Sequence, residues 1–207
     1  SLDDIAWTFN LRGSDVEYNP VFLAYSIIDK ENAILYIDKN KLDSDLKDRL
    51  KDSNVLLKDY FEIYEDVKEI MDSNILLSES RVNYSIYNSI DDSNEIISKR
   101  DITTDLKAVK NQIEQDNMAN CFVRDGVAMV KFLKWLEENV DSGDITEITA
   151  QQKLSEFRSK QDYYKDDSFG SISGYQANGA IIHYAAKKET CKTLKPKGLY
   201  LIDSGGQ

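Results

Sequence analysis

The only histidine of the chain, His183, and an aspartate twenty residues later, Asp203, are the side chains best suited to chemistry. His183 lies near the end of an apolar run that begins at Ala180, and Asp203 ends a second apolar run that begins at Leu199. Such runs between glycine-containing turns have the composition of strands. We therefore expect each side chain near the end of a strand, where a sheet can hold it rigidly and still leave it accessible.

Asp203 is the best single candidate for a metal ligand. A carboxylate buried without hydrogen bonds, a counter-charge or a metal costs roughly several kcal/mol, so an aspartate at the end of this apolar run should have a partner. Carboxylate oxygens suit manganese, magnesium and iron. A zinc site with two histidines cannot be built from this chain, and the motif His-Glu-x-x-His is absent. An oxygen-rich metal site therefore remains, and it needs more ligands than Asp203.

His183 has two interpretations when the residues are considered alone. A single histidine on an apolar strand is more often a hydrogen-bonded core residue than a catalytic one. An imidazole, with an unperturbed pKa of about 6.5, can also act as an acid or a base near neutral pH. Both interpretations stay open at this point.

Other kinds of catalytic site have little support. Residues 170–174 have the spacing of a nucleophile elbow, but Ile172 occupies the position of the serine. Cys121 and Cys191 are far apart and form no zinc-binding pattern. Cys191 and His183 are close in sequence, but they belong to no recognisable motif of a catalytic cysteine and its base. No Gly-x-Gly-x-x-Gly or Walker loop is present, so nucleotide binding has no motif.

Composition excludes several classes of protein. The 207 residues carry a net charge of −11, with 30% charged and 41% apolar residues, which is ordinary for a globular protein with a core. So acidic a chain repels phosphate backbones and anionic lipid, which argues against nucleic-acid binding. No run of about 18 apolar residues is present, so we expect no membrane span. Two lone cysteines favour a reducing compartment, and we expect a cytoplasmic protein.

Glycine usage divides the chain into two differently built regions. Only Gly13, of nine glycines, precedes residue 126. In the first region, apolar runs of strand composition alternate with segments of helical periodicity, which predicts an α/β sandwich with a partly parallel sheet and one hairpin. The strands are expected at 21–28, 33–37, 55–57, 75–77 and 95–98. A polar stretch at 99–105 marks a boundary, so we predict domains at 1–104 and 105–207.

The second region is predicted to open with the longest helix, over residues 106–140. Apolar side chains at helical spacing are expected on its inward side: Met118, Phe122, Met129, Leu133 and Leu136. A further helix, opened by Asp144 and Glu147 or by Thr146 as its cap, should run to about Gln161. The two apolar runs with His183 and Asp203 then complete the region.

Several separated motifs carry a resemblance to a known family. Residues 178–184 (Asn-Gly-Ala-Ile-Ile-His-Tyr) and 199–205 (Leu-Tyr-Leu-Ile-Asp-Ser-Gly) resemble the Xaa-Pro aminopeptidase (aminopeptidase P) family of pita-bread metallopeptidases, in its long, three-domain eukaryotic type. Residues 2–7, 9–15 and 19–22 resemble the middle domain of that family, and residues 124–128 and 146–150 resemble the start of its catalytic domain. The resemblance implies a creatinase/prolidase-like α/β sandwich followed by a partial pita-bread domain.

The resemblance also implies roles for the two candidate residues. In the family, the aspartate that matches Asp203 is the first of five ligands of two metals, usually Mn²⁺. The histidine that matches His183 lies beside the metals and stabilises or protonates the tetrahedral intermediate. The implied activity is that of a metalloaminopeptidase, which releases the N-terminal residue from peptides with proline in the second position. The other four ligands have no counterpart in these 207 residues, so we predict that this chain alone is inactive.

Two departures and one alternative accompany the resemblance. Phe122 stands where the family often has a histidine, and Gln176 stands where it often has glycine. These differences affect which details of substrate binding carry over from the family, and they leave the expected fold unchanged. The alternative is a non-catalytic pita-bread module that binds peptides or proteins after loss of its metals, although both His183 and Asp203 are kept. Family members are often dimers, so a homodimer is expected from the resemblance only.

Overall fold

The computed structural model describes all 207 residues, which form two compact units. The first unit comprises Ser1–Asp15 and Val21–Lys110, and the second comprises Val16–Pro20 and Asn111–Gln207. The domain boundary proposed between residues 104 and 105 stays a prediction, because a compact unit need not coincide with a family domain. None of the helices combines the length and apolarity needed to cross a membrane.

The first unit contains two small sheets. Strands β1 (Ala24–Ile28) and β2 (Ala33–Ile37) form an antiparallel hairpin, and β3 (Val55–Lys58) pairs with β2 in parallel. Strands β4 (Asn74–Leu77) and β5 (Glu95–Ser98) form a separate parallel pair. The mixture of one hairpin with parallel pairs joined by helices confirms the predicted α/β class.

Short helices connect these strands. They are α1 (Leu2–Thr8), α2 (Ser44–Asp52), α3 (Ile63–Asp66), α4 (Tyr84–Tyr87) and α5 (Ile102–Ala108), with 3-10 turns at Lys39–Lys41, Tyr60–Glu62 and Val67–Glu69. Asp59 and Glu62 form a capping box at the start of the 3-10 turn Tyr60–Glu62. Helix α2 is capped by Asp43, whose carboxylate accepts a hydrogen bond from the amide of Leu46.

Tyr36 lies at the centre of the first core. Its side chain is fully buried among Ile63, Val67 and Ile86, which come from the connecting helices. The hydroxyl group donates a hydrogen bond of 2.6 Å to Asp66. The buried ring therefore keeps its polar atom satisfied, as a tyrosine in a core must.

The second unit is built on two helices and one hairpin-like sheet. Helix α6 (Gln112–Asn139) is followed by a 3-10 turn at Val140–Ser142 and by α7 (Glu147–Ser159). Strands β6 (Ile172–Tyr175) and β7 (Tyr200–Asp203) pair antiparallel, and a 3-10 helix at Gln176–Ala180 follows β6 directly. The core lies between the helices and one face of this sheet, and its buried members are Phe132, Ile145, Ala150, Leu154, Tyr175 and Leu194.

The long helix differs from its prediction in two respects. It begins at Gln112 and not at Leu106, because Asn111 and Glu114 form a capping box after a break from α5. Its predicted inward face is partly wrong, since Phe122 is 72% exposed and Leu133 is also exposed. The residues that pack inward lie on the side covered by α7, with Phe132 and Ala128 fully buried.

Candidate functional site

Asp203 ends β7, as predicted, but it is exposed rather than buried. It lies opposite Ile172 in the antiparallel pair. Tyr200 and Ile202 pack against the core, so the alternate residues Leu201 and Asp203 share the other face of the sheet. The burial expected for Asp203 is therefore not observed, and its carboxylate forms no ion pair or side-chain hydrogen bond with the residues of this chain.

His183 lies in a turn and not on a strand, which corrects the strand predicted over residues 180–184. The amide of Tyr184 donates to the carbonyl of Ile181 at 3.2 Å, and His183 has a φ of 55°. A positive φ is incompatible with an extended strand, although histidine tolerates it better than most residues. His183 is exposed, as is Ile182 at 85%, so the interpretation as a core histidine does not hold.

The segment before His183 packs onto the face of the sheet that carries Asp203. A Cβ atom on Gly179 would lie 3.1 Å from the carbonyl oxygen of Gly174 and 3.4 Å from the Cβ atom of Leu201. Because Leu201 and Asp203 are alternate residues of β7, the 3-10 helix covers the same face. The structure therefore brings the backbone leading to His183 over this face, and no hydrogen bond joins the imidazole to the carboxylate.

Gln176, where the resembled family often has glycine, has a φ of 53°. This left-handed conformation costs an ordinary residue about 1–2 kcal/mol, whereas glycine adopts it freely. The same 3-10 helix thus begins at a position whose backbone suits glycine.

Glu147 is the residue near this site that the sequence did not single out as functional. It is the first residue of α7, it is completely buried, and its carboxylate accepts hydrogen bonds from β6, from the 3-10 helix and from the turn with His183. Burial alone would raise the pKa of Glu147, but hydrogen bonds from the amides of Tyr175 and Lys192, with those from Tyr184 and Asn178, lower it below its ordinary value. The carboxylate is therefore ionised inside the core.

The chain by itself does not fit a dinuclear metal centre. No group of three or more histidine, cysteine, aspartate or glutamate side chains is arranged to hold a metal. Asp203 is a single carboxylate at the end of a strand, and two metals with their shared ligands need several more. The metal-ligand role of Asp203 and the catalytic role of His183 therefore stay predictions.

Known protein families match the whole chain. The family described as Creatinase/Prolidase N-terminal domain matches residues 1–114, and metallopeptidase family M24 matches residues 116–207. A probable Xaa-Pro aminopeptidase P from Metarhizium robertsii is 38% identical over 222 residues, which cover 100% of this chain and 36% of that relative. One from Arthroderma gypseum is 38% identical over 218 residues, covering 100% of this chain and 34% of its own. The chain thus spans about a third of the length of these relatives.

Solved structures share the fold. An X-prolyl aminopeptidase from Caenorhabditis elegans, described as a cytosolic enzyme with a di-nuclear active site, matches with a TM-score of 0.89 at 31% identity, over 99% of this chain and 35% of that one. The Xaa-Pro dipeptidase from Bacillus anthracis matches with a TM-score of 0.73 at 15% identity, over 100% of this chain and 54% of its own. These matches confirm the fold class expected from the sequence.

Proposed function

The chain belongs to the creatinase/prolidase N-terminal domain family and continues into metallopeptidase family M24, and on this basis we propose that the whole protein is a metalloaminopeptidase. It releases the N-terminal residue from peptides that have proline in the second position. The bond before proline is a tertiary amide without an N–H group, so an enzyme that cleaves it needs a dedicated site. Peptides of this kind are the proposed substrates, with no nucleic acid or membrane as a partner.

One observation carries the proposal: the match to the nematode X-prolyl aminopeptidase extends over 99% of this chain, at 31% identity and a TM-score of 0.89. The contact between the 3-10 helix and the Asp203 face of the sheet supports it, because that contact places the segment leading to the imidazole beside the strand that ends in the carboxylate.

Two divalent metals, with Mn²⁺ as the proposed ion, supply the Lewis acid when the site is complete. Asp203 contributes one carboxylate from the end of β7. No cluster of further ligands is found among these residues, and the chain spans about a third of the length of its relatives, so we propose that the remaining ligands belong to the rest of the whole protein. His183 is proposed to hold or move a proton at the reacting carbonyl group, for which an exposed imidazole is suited.

A cytosolic location and a homodimer complete the proposal. The nematode structure is described as that of a cytosolic enzyme, and the two cysteines here are free, which fits a reducing compartment. Sedimentation of the full-length protein tests the homodimer, and a monomer at micromolar concentration would refute it.

The test compares the full-length wild-type protein with three variants, using a proline-second peptide and Mn²⁺. Asp203→Asn should lower both the bound metal and the turnover, because a neutral amide replaces an ionised ligand. His183→Gln should keep the metal and lose turnover by roughly a hundredfold or more. Glu156→Gln, on an exposed part of α7, is the matched control and should retain both.

Two further results would bear on the proposal. The 207-residue chain should show no turnover with Mn²⁺, and turnover by this chain would contradict the prediction that it is inactive alone. Full-length protein that binds the peptide without cleaving it, and that binds no metal, would refute the peptidase and support a binding module instead.

A further inference from the structure

Glu147 is a buried carboxylate with no cation beside it. No ion pair includes its side chain, and it is one of few charged residues that the core encloses completely. The cost of burying a charge is several kcal/mol, roughly, unless hydrogen bonds replace the lost water. Here the replacement is complete, because each oxygen has more than one donor.

The donors come from four different parts of the chain. Oε1 accepts from the amide of Tyr175 at 2.6 Å and from Nδ2 of Asn178 at 3.0 Å. Oε2 accepts from the hydroxyl group of Tyr184 at 2.8 Å and from the amide of Lys192 at 3.0 Å. One carboxylate therefore ties the end of β6, the 3-10 helix, the His183 turn and the loop before β7 to the N-terminus of α7.

The bond to Tyr184 is the one that bears on His183. Tyr184 is the next residue along the chain, it is buried, and its amide closes the turn in which His183 has its positive φ. Its hydroxyl group also accepts a hydrogen bond from Asn178 at 2.8 Å. The turn is thus fixed on one side by a buried ring and a charged acceptor, while the imidazole itself is exposed.

We propose that Glu147 is a positioning residue for His183: through Tyr184 and Asn178 it sets the place and the backbone conformation of the turn that presents the imidazole. This inference rests on the proposed function, because the proposed function gives the exposed imidazole a catalytic role. An apolar side chain could fill the same space without the free-energy cost of removing a charge from water. Only an acceptor can bind donors from four segments at once.

The lone histidine makes the inference measurable on the 207-residue chain. The imidazole gives a single set of NMR signals, and amide hydrogen exchange reports on the opening of residues 181–184. Tyr184→Phe removes only the hydroxyl group and should shift the imidazole signals and speed exchange in this turn about tenfold. Glu147→Gln should do the same more strongly, whereas Glu156→Gln, the same change on an exposed part of the same helix, should not.

Folded Tyr184→Phe protein with unchanged imidazole signals and unchanged exchange in the turn would overturn the inference. This variant keeps the test decisive where Glu147→Gln fails to fold, because it leaves the buried carboxylate its three other donors. Rescue is informative as well, since Glu147→Asp keeps the charge and should restore part of the protection that Glu147→Gln loses.

Turnover of the full-length protein separates this inference from the proposed function. Tyr184→Phe should lower kcat about tenfold with KM and bound metal unchanged, because a displaced catalytic group affects the chemical step. An active wild-type enzyme whose kcat is unaffected by Tyr184→Phe would refute the positioning role alone. Wild-type protein without turnover would refute the proposed function, and the NMR result would still decide whether Glu147 positions the turn.

Discussion

A Cβ atom on Gly174 would lie 2.8 Å from the Cα atom of Gly179. Real Cβ atoms do not come this close to backbone, so the two glycines pack directly against each other. Strand β6 and the 3-10 helix after it are thereby joined without any side chain between them. This contact places the helix on the face of the sheet that carries Asp203.

Gly174→Ala should destabilise the protein by roughly 1–3 kcal/mol, because the added methyl group forces two backbone segments apart. Gly126→Ala is the matched control: this glycine lies inside α6, and nothing is within 4 Å of its Cβ position. Alanine there should stabilise the helix by roughly 0.5–1 kcal/mol. Urea denaturation of both variants measures the change in the free energy of unfolding, which should be negative for Gly174→Ala and positive for Gly126→Ala. Equal changes in the two variants would contradict the close packing of Gly174 against Gly179.

Local patterns predicted the elements whose causes are local. The hairpin of β1 and β2 and the end of β7 at Asp203 both follow from residues within a few positions of one another. The resemblance then supplied the order of the two regions. Periodicity therefore sufficed for the fold class and for the place of Asp203 at the end of a strand.

The His183 turn could not be predicted in the same way. Its apolar residues, Ile181 and Ile182, suggest a buried strand, yet both are exposed. The backbone there is fixed by Glu147, which is 37 residues away from Tyr184 along the chain. No local pattern reports such a contact, and a glutamate after a helix cap is normally solvated. A buried acceptor is visible only once the fold brings its donors together.

The ion pair between Arg158 and Asp125 joins α7 to α6. Arg158 Nε donates to Asp125 at 2.6 Å, and the arginine side chain is only 3% exposed. Asp125→Asn keeps the shape but leaves this buried guanidinium without a counter-charge, so we expect a loss of about 2 kcal/mol. A larger loss is not expected, because Asp125 itself is partly exposed and water screens the pair.

Glu138→Gln provides the control for this prediction on the same helix. Glu138 pairs with Lys134 four residues earlier, and both side chains are more than half exposed. Its replacement should cost no more than about 0.5 kcal/mol. Thermal unfolding of the two variants measures the contrast. Equal shifts in Tm would show that burial of Arg158 adds nothing to the pair.

Tyr36→Phe tests the hydrogen bond at the centre of the first core. The hydroxyl group donates to Asp66, which also pairs with Lys58 at 2.5 Å. Phenylalanine fills the same space, so only the hydrogen bond is lost, and we expect a loss of about 1–1.5 kcal/mol. Tyr84→Phe, at a position that is 78% exposed, should change the free energy of unfolding by less than about 0.5 kcal/mol. Denaturant titration measures the free energy of unfolding of both variants. If Tyr36→Phe leaves it unchanged, the hydrogen bond to Asp66 stabilises the fold no more than water stabilises the hydroxyl group in the unfolded chain.

The stability that Glu147 contributes should depend on pH in one direction. Its pKa is lower in the folded than in the unfolded chain, so the contribution is complete above the unfolded value of about 4.3 and is lost as pH falls through the folded value. Glu147→Gln should cost about 2–4 kcal/mol at pH 7, and the difference from wild type should narrow as the solution is acidified below pH 4.

Urea denaturation of both proteins between pH 7 and pH 3 measures this difference. Other carboxyl groups with lowered pKa values, such as those of Asp4 and Asp66, are present in both proteins and cancel in the comparison. Tyr200 does not change its protonation between pH 7 and pH 3, because burial raises its pKa to about 12. A difference that stays constant down to pH 3 would show that folding does not change the pKa of this carboxyl group. A difference that grows on acidification would show that the fold raises the pKa and keeps the group protonated, and the hydrogen bonds from Tyr175, Tyr184 and Lys192 would then not be bonds to a charge.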